Sequence, residues 1–413
     1  MKGTVWQRCT KCRRKVNGTD ARKRHKASGC AGTGTAWAIK ADLGRDTDGN
    51  RRQQVRSGFA SEAEANRELR ALLSKVDGGR YVEPSRRTLA DYLEGEWLPA
   101  TAPPKVAHST HGKRTLHVAY VTARIGRTPL AEVNGATLDQ LYATLTREGG
   151  RDGRPLAPST VRDVHRTLHK AFADAVRWQL AERNPCEAAE PPRLDQVTDD
   201  ARAALHAWSA DELRRFLAFT RVHRLGAAFH VAATTGVRRS ELLGLRWSDV
   251  DLAAGTLRIA QKLVSGPDGY ELRRSTKTTA GARTINLDGG TVEVLRDHRK
   301  RQAELRLAHG SDYVSHDLVF PREDGRPFPP AGLTQAFRRA VRASGLPPIR
   351  LHDVRHTHAT LLLQAGEPVK VVSERLGHAS PTVTLTIYAH VLPGMQAGAA
   401  ATFGRLLAAE DVQ

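Results

Sequence analysis

Between residues 184 and 203 the chain reads NPCEAAEPPRLDQVTDDARA, a proline- and acid-rich stretch without apolar periodicity. Prolines at 185, 191 and 192 neither continue a helix nor sit in a central strand. Long segments with helical apolar spacing lie on both sides, so the stretch reads as an inter-domain linker. A length of 413 residues also exceeds one average domain of about 100–200 residues. The expected fold is mainly α and multi-domain. It comprises a basic N-terminal segment (1–32), a small β-β-β-α domain (33–82), a helical domain (86–186), a linker (187–206), a larger α+β domain (207–396) and a C-terminal tail (397–413).

Sixty-four Lys and Arg against 44 Asp and Glu give a formal charge of +20. Such an excess fits a polyanionic partner, nucleic acid or an anionic membrane surface, although a merely solvated basic surface gives the same number. No apolar run approaches 18 residues and the N-terminus lacks the apolar core of a signal peptide. Four cysteines in a chain of this length are not a disulfide framework, and a reducing cytoplasm is expected. The first 26 residues hold ten Lys or Arg and one acid, Asp20. Among them Cys9, Cys12 and His25, with Cys30 beyond, are spaced C-x2-C-x12-H-x4-C, a possible structural zinc set. A flexible basic arm with incidental cysteines is the alternative.

Residues 35–77 read as the β-β-β-α unit. TAWAIKADL alternates Trp37, Ile39 and Ala41 on one face, Asp48-Gly49 marks a turn before RRQQVRSGF, and Ser61 with Glu64 forms a capping box stopped by Gly78-Gly79. In the helical region Val161, Val164, Leu168, Phe172 and Val176 make one stripe, with Ser159 as its expected cap. His165 and His169 beside it suit a surface or phosphate-side place better than metal ligation, and Cys186 has no chemical partner in sequence. Ser209 and Glu212 form a second capping box, with Leu213, Phe216 and Leu217 on the buried face.

The chemistry concentrates further on. His352 and Arg355 share a helix face, and Arg355 offers a permanently charged planar fork suited to phosphate. Arg238, just after Gly236 at the opening of SELLGLRW, supplies a second fork. Two converging arginines would stabilise a pentacoordinate phosphorus. Tyr388 follows Ser380-Pro381, a helix start, some two turns earlier; a phenol with a pKa of about 10 needs a base or strong positive potential to attack. His352 and His378, the latter after the helix stop Gly377, offer that assistance together with the arginines. Lys277, expected at a hairpin tip between YELRRST and RTINL, could protonate a leaving oxygen. Each residue alone also suits a core or surface role.

Taken in order, TTGVRRSELLGLRWSDVD, STKTTAGARTINL, LHDVRHTHATLLLQAG and LGHASPTVTLTIYAHV resemble the tyrosine recombinase, or phage integrase, family across about residues 205–395. The resemblance implies an α+β catalytic domain of tyrosine-recombinase type, a SAM-like helical core-binding domain and an arm-type DNA-binding domain. It implies that Arg238 and Arg355 grip the scissile phosphate and Lys277 protonates the 5′ oxygen. His352 would act as acid/base on the tyrosine, His378 bond the phosphate, Tyr388 form a 3′-phosphotyrosyl link, and Glu241 support the pocket. His356, His358 and His390 would be packing or supporting groups. The implied function is a site-specific DNA strand transferase that integrates or excises a phage or integrative element. Its partners would be double-stranded attachment sites, three further copies in a homotetramer, and an excisionase or DNA-bending accessory protein, with no membrane. It would need no cofactor for catalysis, in keeping with the lack of a GxxxxGK[ST] loop, and would reside on the bacterial nucleoid. Rival readings are a Xer-type resolvase or type IB topoisomerase, or a non-catalytic DNA-binding regulator.

Overall fold

The structure, a computed structural model, describes residues 3–16, 30, 34–45, 51–78, 81, 86–150, 153–193, 207–267, 269–274, 282–388, 400 and 403–404. Lys277, His25, His390 and the Asp48-Gly49 turn lie outside the described residues. The chain divides into two compact units, Met1–Leu194 and Asp195–Gln413.

The first unit opens with an antiparallel sheet in the order β1 (Gly3–Cys9), β2 (Thr35–Arg45), β3 (Arg51–Phe59). The third strand therefore comes from GTVWQRC, and not from within 35–77 as the sequence suggested. Trp6 pairs with Ala38 and Cys9 with Thr35, which joins the N-terminal segment to the small domain. Helix α1 (Glu62–Asp77) covers one face, burying Ala65, Leu69 and Leu72 with Ile39 and Ala41. Each fully buried leucine contributes roughly 1.5–3 kcal/mol. Gly3 gives Leu69 room, since a Cβ would lie 2.6 Å from that side chain and push its methyl groups aside. Ser61 caps α1 through the Glu64 N–H, while the Glu64 carboxylate takes the Ala60 N–H.

A helical core follows, with a π-helical segment Asp91–Trp97, α2 (His108–Ile125), α3 (Gly135–Glu148) and α4 (Pro158–Arg177). Helix α4 starts on Pro158 with Ala157 as N-cap, one residue before the expected Ser159, because proline suits the first helical position. Its apolar stripe runs through Val161, Val164, Leu168, Phe172 and Ala175; Val176 is exposed. Buried Asp174 receives the Trp97 indole N–H at 3.0 Å and pairs with Lys170 and Arg177. His165 is held by the Tyr142 hydroxyl at 2.9 Å, so it is a packing residue.

The second unit contains α5 (Ala210–Phe219), α6 (Gly226–Thr235), α7 (Arg239–Gly244), β4 (Val250–Asp251), β5 (Thr256–Ile259), β6 (Gln261–Gly266), β7 (Gly269–Arg274) and β8 (Arg283–Asn286). Then come α8 (Gly289–His309), α9 (Pro330–Ser344), α10 (Asp353–Gln364), α11 (Val369–Leu376) and α12 (Pro381–Tyr388). The Ser209–Glu212 box is complete in both directions. Trp208, Phe216, Phe229 and Phe337 form the aromatic centre of the core. The strands correct another expectation. β7 pairs with β6 and β8 pairs with β5, so the segments flanking Lys277 belong to two sheets and are not the arms of one hairpin. The buried Leu257–Ile285 pair fixes β8 on the β5 edge. No helix among the described residues is long and apolar enough to cross a membrane.

Candidate active site

Two backbone turns set the geometry. Helix α6 ends at Gly236, whose φ of 63° is left-handed. A Cβ there would lie 2.7 Å from His358 and 2.8 Å from Leu376, so glycine also permits the close approach of α10 and α11. Helix α11 ends at Gly377, with φ 68°, and the chain turns through His378 into α12. These two glycine stops face into the same region: the Gly236 carbonyl accepts Arg355 Nη1 at 2.6 Å, and the Gly377 carbonyl accepts Arg238 Nη2 at 3.0 Å.

Arg238 is the N-cap of α7, and Glu241 lies in the first turn. The Glu241 carboxylate accepts the Arg238 N–H at 3.0 Å, Arg238 Nη1 at 2.9 Å and Arg283 Nη2 at 2.9 Å. Burial favours its neutral form, but Arg283 and Arg238 outweigh that and hold it below the usual carboxylate range. Arg283 also donates Nε to the Arg375 carbonyl at 2.7 Å. Arg355 is 4% exposed, and burial with neighbouring Arg238 lowers its pKa to about 10. Arg355 Nη2 and Arg283 Nη1 are buried and have no hydrogen-bond partner among the described residues. A buried guanidinium N–H left unpaired is costly, and a bound oxyanion would satisfy that of Arg355, which lines a cleft.

Tyr388 ends α12 and packs against Ala359, Leu363, Val372 and Leu376, 3% exposed. Burial pushes its phenol up to about 12, with Arg355 pulling the other way. Its hydroxyl lies 2.8 Å from His356 Nδ1. The sequence had paired the tyrosine with His352. That residue is the N-cap of α10 and meets the His356 ring edge-on, with centroids 5.1 Å apart. Burial and Arg355 lower the pKa of His352; burial and His352 lower that of His356. His378 uses Nδ1 on Thr384 Oγ1 at 2.7 Å, and burial beside Arg355 and Arg238 lowers it to about 4. His358 donates Nδ1–H to the Ala233 carbonyl and accepts Arg375 Nε on Nε2, a structural bridge between α6 and α11.

The structure thus brings together Arg238, Glu241, His352, Arg355, His378 and Tyr388. Sequence reasoning missed Arg283, Arg375 and the contact made by His356. A cleft of about 720 Å³ opens on this cluster, with Arg238, Arg239, Arg338, Arg350, His352 and Arg355 in its wall. No carboxylate lines it among the described residues. An arginine-lined cleft suits a phosphodiester, whereas Tyr388 is not among the residues that line it and stays buried behind them. A separate cleft of about 470 Å³ also has arginines and Tyr313 in its wall, but there they stand with the carboxylates Glu304 and Glu323, which oppose an anionic ligand.

At the other end of the chain, Cys9, Cys12 and Cys30 bring their sulfurs within 4.8 Å of one another. The Cys9 N–H donates to the Arg14 carbonyl and the Arg13 N–H to the Cys9 carbonyl, with Arg13 at φ 59°. This is a tight turn that aims both thiols of a C-x2-C the same way.

Residues 207–394 match the phage integrase family, and residues 28–76 match an arm DNA-binding domain. A XerC-like tyrosine recombinase of Caldanaerobacter subterraneus is 27% identical over 90% of this chain and 96% of its own length. The Tn1549 transposon integrase (residues 82–397), bound to a circular intermediate DNA, superposes with a TM-score of 0.63 at 22% identity, over 77% of this chain and 99% of that one. A lambda integrase tetramer bound to a Holliday junction gives 0.51 at 16% identity, over 83% and 90%.

Proposed function

Since this chain belongs to the phage integrase family of tyrosine recombinases, it is a site-specific enzyme of DNA breakage and rejoining, and we propose that it integrates and excises a mobile DNA element. The unpaired Nη2 of buried Arg355 next to the Tyr388 helix carries the reading, because it is a receptor for an oxyanion at the place where a nucleophile waits. Arg355 and Arg238 hold the non-bridging oxygens of the scissile phosphate, with Glu241 keeping Arg238 and Arg283 in place. Tyr388 Oη attacks phosphorus, the 3′-phosphotyrosyl bond forms, and the 5′ oxygen leaves with a proton from Lys277. His378, fixed by Thr384, donates to the phosphate, and His352 shapes the pocket from the start of α10. The bond energy is kept in the phosphotyrosyl link and returned when another 5′-hydroxyl attacks, so no nucleotide or metal is consumed.

The working assembly is a tetramer on two attachment sites, a reading supported by the tetrameric lambda neighbour. The sheet of β1–β3 reads flanking arm sites, in keeping with its arm-domain match. The substrate places the protein on the bacterial nucleoid, and an excisionase or DNA-bending protein sets direction. The long match to a XerC-like protein favours a second reading, resolution of multimers without arm sites. Recombination measured on duplexes with and without flanking arm sequence separates the two, since the integrase reading requires the flanks. The primary test is Tyr388→Phe on a nicked suicide duplex. It should bind like the wild type and form no covalent adduct; a persistent adduct removes Tyr388 as the nucleophile.

The N-terminal cysteines would hold one structural zinc. Zn–S bonds of about 2.3 Å in a tetrahedron set sulfurs about 3.8 Å apart, and Cys9 and Cys30 Sγ lie 3.8 Å apart. Cys12 would be the third ligand, and His25, which lies outside the described residues, would be the fourth. The metal would pin the far end of β1 to the segment entering β2.

A further inference from the structure

Tyr388 has one hydrogen-bonding contact on its hydroxyl among the described residues, and that contact is His356. A buried phenol with its proton shifted towards retention cannot attack until something takes that proton, and a general base must sit within about 2.6–3.2 Å of it. His356 Nδ1 meets the distance. His352 instead presents its ring edge-on to His356 at an interplanar angle of 88°.

We propose that His356 is the base that accepts the Tyr388 proton during strand cleavage, with His352 acting on the nucleophile only through His356. The inference rests on attack by Tyr388. In the step, the phenol O–H bond breaks as the Oη–P bond forms, and the proton moves to His356 Nδ1. The P–O5′ bond breaks with its electron pair going to the leaving oxygen, which takes its proton from a separate acid. When the 5′-hydroxyl of the partner strand attacks, its proton passes to the conjugate base of that separate acid as the O5′–P bond forms, the Oη–P bond breaks, and His356 returns its proton to Tyr388 Oη. Neutral His356 must carry its hydrogen on Nε2, leaving Nδ1 as acceptor.

The surroundings suit the task. His352, Asp353, Arg355 and Arg350 face His356 from its own helix and the turn before it, Tyr388 from α12, and His378 from the α11–α12 turn. Burial and the neighbouring His352 and Arg355 keep the imidazole neutral at pH 7 and ready to accept, whereas Asp353 opposes them and is itself tied to Arg350. Once protonated, His356 lies among cationic groups that favour handing the proton back. That is the requirement of a reversible cleavage.

The test uses the full chain on a nicked duplex that carries the junction sequence of the excised element. Single-turnover adduct formation is followed from pH 6 to 9 for wild type, His356→Ala, His356→Gln, His352→Ala and Tyr388→Phe. Loss of a general base slows cleavage by about 10²–10⁴-fold. His356→Ala and His356→Gln should show that loss, and their rates should climb close to tenfold per pH unit, since the phenolate must now form beforehand. Wild type and His352→Ala should be flat between pH 7 and 9. His356→Gln, which preserves the contact but accepts no proton, guards against mere misfolding. Replacing the bridging 5′ oxygen by sulfur, which removes the need for an acid, should rescue neither His356 variant. A slow but flat His356→Gln profile, or a rising profile in His352→Ala in place of the His356 variants, overturns the proposal. An adduct with Tyr388→Phe would instead remove the premise that Tyr388 attacks, a separable result.

Discussion

Replacing Glu241 by Gln tests whether a buried carboxylate holds the arginine cluster together. Its two ion pairs are not equal. Arg238 has a side chain 39% exposed, so that pair is worth about 0.2–1 kcal/mol at most. Arg283 and Glu241 are 8% and 6% exposed, and removing one partner of such a buried pair costs about 3–5 kcal/mol, mostly through the charge left behind. An amide keeps the shape and one acceptor oxygen for the Arg238 N–H, so the lower end applies, about 3 kcal/mol. For a unit of this size that is a fall of roughly 6–12 °C in the melting transition of the catalytic unit. The carboxyl is held below its usual range in the fold. Its contribution is therefore present above the unfolded carboxylate pKa of about 4.3 and lost as pH falls through the folded value, where wild type and Glu241→Gln should converge. Thermal and urea melts of both proteins at pH 7.5 and pH 3.5, with and without a DNA duplex, read the effect. DNA should restore part of the loss by supplying a phosphate charge. A difference under about 1 kcal/mol at pH 7.5, or one that persists unchanged at pH 3.5, refutes the charge-balancing role.

Zinc should be found at one atom per chain in protein purified without chelator, and Cys12→Ser should lose it; metal-free wild type with full arm-site binding would reject the site. His358 and His378 have pKa values lowered to about 4 from the ordinary 6.5. Unfolding takes up protons in that window, so stability should be whole above pH 6.5 and fall as pH drops towards 4, by up to about 1.4 kcal/mol per pH unit for each histidine. Urea midpoints from pH 7 to 5 should show the slope, and His358→Gln should flatten it; a midpoint unchanged across that range contradicts the buried neutral imidazole.

The pocket was legible where chemistry coincides with helix punctuation. Gly236, Gly377 and Ser380-Pro381 announce their turns locally, and Arg238, His352, His378 and Tyr388 sit at or just beyond helix ends. Arg283 and Arg375 were illegible because nothing local marks them. One lies in a four-residue strand and the other in an eight-residue helix, and only the tertiary fold brings Arg283 to Glu241 and Arg375 to His358. A signal for His356 did exist, since it stands four residues after His352 and four is a helical neighbour distance. The sheet reading failed twice for the same reason. Strand pairing is non-local, so the partner of β2 was found at the start of the chain and that of β8 beyond an intervening hairpin.

The bond between Arg238 and the Gly377 carbonyl joins a side chain at the mouth of the cleft to the backbone one residue before His378. Helix α12 follows from that same turn. The carbonyl that closes α11 is thus held by the side chain that caps α7, so one bond fastens the start of one helix, the end of another and the segment that leads to Tyr388.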